Sequence, residues 1–318
     1  MHLNLGAVAL GTANLGNFDT AMTDELSWQI MEQAWEEGIR YFDTAPHYGL
    51  GLSERRVGDF LRSKPRDEYI VSTKVGRLLR PQNGTVPAAE GPFAQYESLS
   101  RVWDFSAAGV RRSLEESLTR LGLDRVDLLY LHDPQEFDRE KGLTEALPAL
   151  AALRSEGVIS AMGVGSMNTQ ALGEAAASGT IDYLMLAGRF TLAEQPAYPY
   201  IFDECVRNGV TIVNASIFNS GLLSTNDPAA NSLYDYAQTP PALLAHVLAI
   251  RDACAEFGVD LPTAALHFAA RPAAVGTVVI SGNDAHQVRE NVARSKVVVP
   301  AELWAALAQR GLIPTELA

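Results

Sequence analysis

Asp43-Thr44-Ala45-Pro46-His47-Tyr48-Gly49, Ser72-Thr73-Lys74 and Leu131-His132-Asp133-Pro134 have the same setting in the chain. Each closes a short apolar run, at 39–42, 69–71 and 126–131, that reads as a β-strand. In a parallel (β/α) barrel, side chains at the C-terminal ends of successive strands converge on one mouth. Asp43, Tyr48, Lys74 and His132 are therefore expected to meet in space. A carboxylate, a phenol, an amine and an imidazole brought together make a proton-transfer site for a carbonyl or an alcohol.

Strand-like and helix-like stretches alternate outward from these strings. A strand at 8–10 ends at Gly11-Thr12, and Thr23 can cap a helix with Asp24 and Glu25 in its first turn. That helix turns Leu26, Ile30, Met31 and Ala34 inward and stops at Gly38. Ser53 and Glu54 are expected to start the next helix, and Ser106 to cap a third with Val110, Leu114, Leu118 and Leu121 on one face. Strands at 158–164, 183–186, 210–213 and 277–280 follow. Helices are expected at 143–153, 170–177, 200–206, 243–257, 263–270, 285–293 and 301–308. About eight strand–helix repeats in one chain imply a parallel sheet, and favour a closed (β/α)8 TIM barrel, of class α/β, over an open sheet. No internal repeat or linker divides it, so residues 1–318 are expected to form a single barrel domain.

Residues 76–105 break the alternation. They hold Pro81, Gly84, Pro87, Gly91 and Pro92 with Phe93, Tyr96 and Trp103 interspersed. A connection of this length without secondary structure is uncommon. It reads as a long loop forming a wall or lid of the mouth, with Arg77, Arg80 and Arg101 in salt bridges.

Composition narrows the function classes. The 318 residues are 47% hydrophobic and 20% charged, ordinary for a globular protein. Net charge is −13, from 25 basic and 38 acidic residues, which argues against nucleic acid as a partner. The six histidines lack metal-ligand spacing, so no metal is expected. No apolar run is long enough to span a membrane. His2-Leu3-Asn4-Leu5 has no basic leader character, and Cys205 and Cys254 read as idle thiols, so the expected location is cytoplasmic. No nucleophile elbow, phosphate loop or G-x-G-x-x-G pattern competes with the reading above. No pattern specifies an oligomeric state.

On these strings the chain resembles the aldo-keto reductase family over about residues 8–291. More narrowly it resembles the branch containing L-fucose dehydrogenase and D-threo-aldose 1-dehydrogenase. Thr73-Lys74-Val75-Gly76 and Arg112-Ser113-Leu114-Glu115-Glu116-Ser117-Leu118 carry the narrower likeness. Tyr48, Asp43, Lys74 and His132 match the family's tetrad in type and order. Proton transfer by tyrosine fits hydride transfer between an alcohol carbon and nicotinamide, but its unperturbed pKa of ~10 is high for neutral pH. Lys74 is expected to lower it, Asp43 to hold Lys74, and His132 to donate to the substrate oxygen.

The resemblance also implies where a dinucleotide lies. Gly163-Val164-Gly165-Ser166-Met167-Asn168 falls at the family's carboxamide-binding pair, so Ser166 or Asn168 supplies that contact. Ser216, Phe218, Ser220 and Gly221 fall in the loop that holds the pyrophosphate. Ala215 stands where relatives often have a stacking tyrosine, and Phe190 is a substitute or a core residue. Ser281, Gly282, Asp284 and Gln287 open a helix at the adenosine end, where Glu290 and Asn291 match adenine contacts. NADPH-preferring relatives carry a lysine and an arginine at the Ser281 and Gln287 positions, and Asp284 would repel a 2′-phosphate. The implied cofactor is NAD, with NADP the alternative.

His47, Asp133 and Trp103 are the expected substrate contacts. The implied substrate is a small molecule: an aldose such as L-fucose or D-arabinose, oxidised at C1 to the lactone. Similar strings occur in pyridoxal 4-dehydrogenase, which leaves pyridoxal or another aldehyde as an alternative. A nicotinamide-binding regulatory subunit is a third reading, against which the intact tetrad argues.

Overall fold

Each apolar run hydrogen-bonds in parallel to the next along the chain, and the last returns to the first. The computed structural model describes residues 3–18, 20–81, 93, 99–229 and 232–318. Its barrel strands are β1 (Val8–Gly11), β2 (Tyr41–Asp43), β3 (Ile70–Val75), β4 (Leu128–His132), β5 (Ala161–Ser166), β6 (Tyr183–Ala187), β7 (Thr211–Ala215) and β8 (Val275–Ile280). They close in chain order, as expected for a (β/α)8 barrel. Asp43 lies opposite Gly11 and Ser72, Lys74 opposite Tyr130, and His132 opposite Gly165, so the three side chains start from one rim.

The helices form where capping and apolar spacing direct them. Thr23 accepts from the Leu26 N–H at 3.1 Å and opens α1 (Asp24–Glu36), which buries Ile30, Met31 and Ala34. α2 (Leu52–Leu61) buries Val57, Phe60 and Leu61. Ser106 accepts from the Gly109 N–H at 3.0 Å and opens α3 (Ala107–Leu121), which buries Val110, Leu114 and Leu121. α4 (Leu147–Ser155), α5 (Thr169–Ala177) and α6 (Tyr200–Asn208) follow β4, β5 and β6. Two helices follow β7, α7 (Pro241–Ala255) and α8 (Leu261–Ala270), and two follow β8, α9 (Ala285–Ser295) and α10 (Ala301–Gln309). A large apolar layer fills the space between strands and helices, and a smaller one, including Leu128, Met185, Val213 and Val279, fills the barrel interior. Each fully buried leucine or isoleucine contributes about 2 kcal/mol.

Several local expectations shift. Ile39 closes the end of α1, its N–H bonding the Ala34 carbonyl, so β2 starts two residues late. Ser53 does not cap α2. Gly51 does, and the Ser53 hydroxyl donates to the Thr12 carbonyl at 2.7 Å, tying the Tyr48 loop to β1. The 76–105 connection is not wholly irregular: Arg77–Pro81 pairs antiparallel with Leu99–Trp103, a hairpin without clear apolar alternation. Gly84, Pro87, Gly91, Pro92 and Tyr96 lie outside the described residues. A second small hairpin joins Leu233–Tyr234 to Ala237–Gln238 through Asp235 and Tyr236, both with left-handed φ (47° and 63°). Cys205 and Cys254 are free and buried, and burial pushes both thiols up to about 12. Among the described residues no helix is long and apolar enough to cross a membrane.

Candidate active site

Lys74 is the hub of the mouth. Its ammonium donates to the Asp43 Oδ2 at 2.6 Å, to the Thr44 carbonyl at 3.1 Å and to the Tyr48 hydroxyl oxygen at 3.0 Å. An ammonium has three protons, so all are committed. The Tyr48 oxygen therefore accepts on the Lys74 side, and its own proton points elsewhere.

Tyr48 reaches this position because its loop is pressed against the one after β1. A Cβ built on Gly16 falls 2.5 Å from the Tyr48 carbonyl carbon, and one on Gly49 falls 2.2 Å from the Gly16 oxygen. Gly49 also has φ 62°, so glycine is required on both counts. Phe93, 4% exposed, stacks on the Tyr48 ring at 5.9 Å and meets Phe18 edge-on at 5.2 Å.

Lys74 pulls the Tyr48 pKa down as expected, but the net shift is upward. Burial raises the phenol above its ordinary value and outweighs Lys74, which pulls the other way; Asp43 and Asp133 add to the rise. Lys74 itself is raised, the carboxylate of Asp43 and its bonds to Asp43 and Tyr48 outweighing burial. The site at neutral pH thus holds an ammonium and a neutral phenol.

His132 faces Tyr48 edge-on, ring centres 5.9 Å apart. Burial first, then Arg77, Lys74 and His47, hold its pKa well below the usual imidazole range. Arg77, on the hairpin, presents Nη1 at 3.5 Å from the His132 Nδ1 and donates from Nη2 to the Asp133 Oδ2 at 2.9 Å. The His132 Nε2 lies 3.3 Å from that same carboxylate. With Nδ1 turned to a guanidinium, Nε2 is the nitrogen that carries the proton.

The other expected substrate contacts gather here too. His47 lies 5.7 Å from the His132 ring, its Nδ1 is buried without a partner among the described residues, and burial lowers its pKa to about 2. Trp103 is sandwiched between the Arg77 guanidinium, 4.4 Å from its ring centre, and Phe137, stacked at 5.8 Å. Arg80 pairs with Glu116, and Arg101 donates to the His47 carbonyl at 3.3 Å. Sequence reasoning placed Arg77 among salt bridges but gave it no place beside His132. Only the hairpin pairing reveals that.

Further along the rim, Ser166 donates to the Gln135 side chain at 2.8 Å, and the Asn168 side chain accepts from the Ala171 N–H to cap α5. Phe190 is fully buried, stacked on Phe268 at 5.2 Å, so of its two readings the core residue holds. The loop after β7 carries a run of left-handed residues: Ser216 (φ 53°), Asn219 (45°), Ser220 (55°) and Gly221 (95°). Within it the Asn219 N–H donates to the Ser216 carbonyl at 3.0 Å and the Gly221 N–H to the Phe218 carbonyl at 3.1 Å, which closes the loop on itself.

Asn219 is 2% exposed, yet neither end of its side-chain amide has a partner among the described residues. A buried amide left unpaired calls for a ligand or an equivalent polar group. Asn219 was not singled out in the sequence, where it reads as one more loop residue. Phe218 packs on the core, and Ser220 Oγ accepts from the Tyr236 N–H at 3.2 Å.

At the end of β8, Asp284 accepts from the Gln287 N–H at 2.8 Å and caps α9, while the Gln287 side chain accepts from the Asn283 N–H at 2.9 Å. Ser281 is exposed and Gly282 buried. Asn291 donates to the Ser281 carbonyl at 3.3 Å, and Glu290 lies 3.6 Å from His286 and 3.9 Å from Arg294. The loop after the seventh strand and a helix start after the eighth are where parallel barrels hold phosphate, so these residues fit a dinucleotide.

Comparison with known proteins gives the same direction. The sequence model of the "Aldo/keto reductase family" matches residues 7–310. The chain is 46% identical to D-threo-aldose 1-dehydrogenase of a Pseudomonas species, over 98% of this chain and 96% of the relative. It is 34% identical to pyridoxal 4-dehydrogenase of Microbacterium luteolum, over 98% and 95%. Its fold superposes on an aldo-keto reductase of Bacillus halodurans with a TM-score of 0.78 at 24% identity, covering 98% of this chain and 94% of that one. The chain therefore belongs to the aldo/keto reductase family, oxidoreductases that work with nicotinamide cofactors.

Proposed function

We propose that this protein is an NAD-dependent aldose dehydrogenase that oxidises the anomeric carbon of a sugar such as L-fucose or D-arabinose to the lactone. The observation that carries the chemistry is the set of Lys74 bonds, which leaves the Tyr48 proton directed away from Lys74 and Asp43. In oxidation the phenolate form of Tyr48 takes the hydroxyl proton of the sugar, and in reduction the phenol form gives its proton to the carbonyl oxygen. Lys74 stabilises the charge that grows on the phenol oxygen, Asp43 holds Lys74 in place, and the Nε2–H of His132 orients the substrate oxygen. The Arg77–Asp133 pair offers a charged wall for sugar hydroxyls, with His47 beside it and the edge of Trp103, stacked on Arg77, closing that side.

When bound, the nicotinamide dinucleotide supplies the hydride acceptor. Ser166 or Asn168 would hold its carboxamide. Ser216, Phe218, Asn219, Ser220 and Gly221 would hold the pyrophosphate. Ser281, Gly282, Asp284 and Gln287 would meet the adenosine ribose, with Glu290 and Asn291 at the adenine. The absence of a basic side chain at Ser281 and Gln287, and the carboxylate of Asp284, favour NAD over NADP. The sugar assignment draws on the relative that is 46% identical and named for an aldose. All 318 residues are read as one barrel domain, and the two free, buried cysteines suit a reducing, cytoplasmic setting.

Initial rates of nicotinamide reduction test this reading, comparing NAD with NADP, and L-fucose and D-arabinose with pyridoxal. Sugar oxidation with NAD that is lost in Tyr48→Phe is the expected result. Turnover of pyridoxal alone would remove the sugar assignment and keep the acid–base assignment. Binding of NAD without turnover of any substrate would favour a regulatory subunit.

A further inference from the structure

Beneath the Asp43–Lys74 pair, the barrel interior holds a row of hydroxyl groups. Ser72 donates to the Asp43 Oδ1 at 2.6 Å, while the other carboxylate oxygen takes the Lys74 bond. The Tyr41 hydroxyl lies 3.0 Å from the Ser72 Oγ, and the Tyr130 hydroxyl lies 3.3 Å from that of Tyr41. Tyr41, Ser72 and Tyr130 are fully buried, and Asp43 is 3% exposed.

The direction of every bond in the row follows from the carboxylate. An ionised carboxylate only accepts, so the single proton of Ser72 is committed to Asp43. The Ser72 oxygen must then accept from Tyr41, whose proton is committed in turn, and Tyr130 must donate to Tyr41. All three protons point toward Asp43. Bonds aligned in this way polarise one another, most strongly away from water. Burial raises both phenols far above their ordinary values, so they remain neutral donors wherever the enzyme is folded.

We propose that Tyr41, backed by Tyr130, is a positioning residue for proton transfer at Tyr48: acting through Ser72, it draws the negative charge of Asp43 toward Oδ1 and away from Lys74 and Tyr48. The proposal rests on the acid–base role given to Tyr48 above. Burial does most to raise the Tyr48 pKa; within that, the charge of Lys74 favours the phenolate and that of Asp43 disfavours it, so the balance between the two charges tunes how readily Tyr48 gives up its proton. The other groups facing Tyr48 are Asp133, which also disfavours the phenolate, and the neutral rings of His47 and His132. Arg77 and Arg101 act on those histidines from the hairpin. Among the described residues the hydroxyls of Tyr41 and Tyr130 bond to Ser72 and to each other and to none of these groups, so their effect on Tyr48 passes through Ser72 and Asp43.

Tyr41→Phe keeps the ring and deletes the donor. The ionisation of Tyr48 is read in two ways: from the pH profile of substrate oxidation, and without turnover from the alkaline ultraviolet difference titration of each protein against its Tyr48→Phe counterpart. The expected result is an upward shift of about half a pH unit in both, with the high-pH rate kept within about twofold. Ser72→Ala should shift them at least as far, and adding Tyr41→Phe to it should shift them no further, because the tyrosine acts through the serine. If Tyr41→Phe is poorly folded, Tyr130→Phe serves instead, with a smaller shift in the same direction. A Tyr48 titration unmoved in a folded variant, or shifts that add in the double variant, would overturn the proposal. Activity retained in Tyr48→Phe would instead overturn the acid–base reading on which it rests.

Discussion

The guanidinium of Arg77 grips the Asp133 carboxylate at 2.9 Å and, with its other nitrogen, faces the Nδ1 of His132 at 3.5 Å. One residue thus neutralises a half-buried carboxylate in the wall and fixes which imidazole nitrogen carries a proton. Replacing Arg77 by Met strips both effects. The pKa of His132, which Arg77 and burial together hold down, should rise, so the loss is greatest at acid pH and shrinks as the imidazole deprotonates. We expect kcat/KM to fall about tenfold or more at acid pH, with partial rescue in Arg77→Lys. A flat pH profile for the ratio of variant to native activity would contradict this role.

Tyr48 is a phenol at neutral pH, its pKa raised by burial against the pull of Lys74. The base form needed for oxidation therefore grows as pH rises, and the acid form needed for reduction is present below it. Oxidation should increase with pH through the neutral and alkaline range, while reduction should favour the lower end. Lys74→Met removes the cation that favours the phenolate charge, so the oxidative profile should move further up and the neutral-pH rate fall by about a hundredfold or more. Stopped-flow rates across pH would check both directions.

The barrel was legible because β2, β3 and β4 end in strings whose polar residues follow buried apolar runs. The tetrad was legible for the same reason, since strand ends of a parallel barrel face one mouth. What stayed hidden depended on pairing across distance. Nothing in the order of residues 77–81 and 99–103 announces that they zip together and carry Arg77 to His132. The Tyr41–Ser72–Tyr130 row needs the barrel's closure, because each residue alone reads as ordinary strand packing. The pull of Lys74 on the Tyr48 pKa was legible, but its net rise was not, because the lysine is visible in the sequence and the extent of burial is not.

Glu54 tests how the Tyr48 loop is anchored. It is fully buried, accepting from the Thr73 hydroxyl at 2.7 Å and from Arg120 at 2.5 Å. Glu54→Ala strands the cation and the hydroxyl between α2, α3 and β3. Breaking a buried pair in this way costs about 3 kcal/mol or more. Urea unfolding should show that loss. Glu54→Gln, which can still accept from Thr73, should lose less. Equal stability of Glu54→Ala and the native protein would show that the pair does not support the barrel.

The proposed preference for NAD is expected to be set at the start of α9. Asp284 caps that helix through the Gln287 N–H, so its carboxylate is fixed beside the amides that would meet the ribose. Asp284→Asn keeps a capping oxygen and removes the charge, and Gln287→Arg adds a guanidinium able to grip a phosphate in two bonds. The double variant should raise kcat/KM for NADP by about a hundredfold relative to NAD, each change contributing about tenfold, since hydrogen bonds to charged groups are worth about 1.5–3 kcal/mol. The gain should appear mainly in KM and shrink at high salt, because both effects are electrostatic and partly exposed. Retention of the native preference in a well-folded double variant would place cofactor discrimination elsewhere on the rim, and the Asn219 loop would be the next site to change.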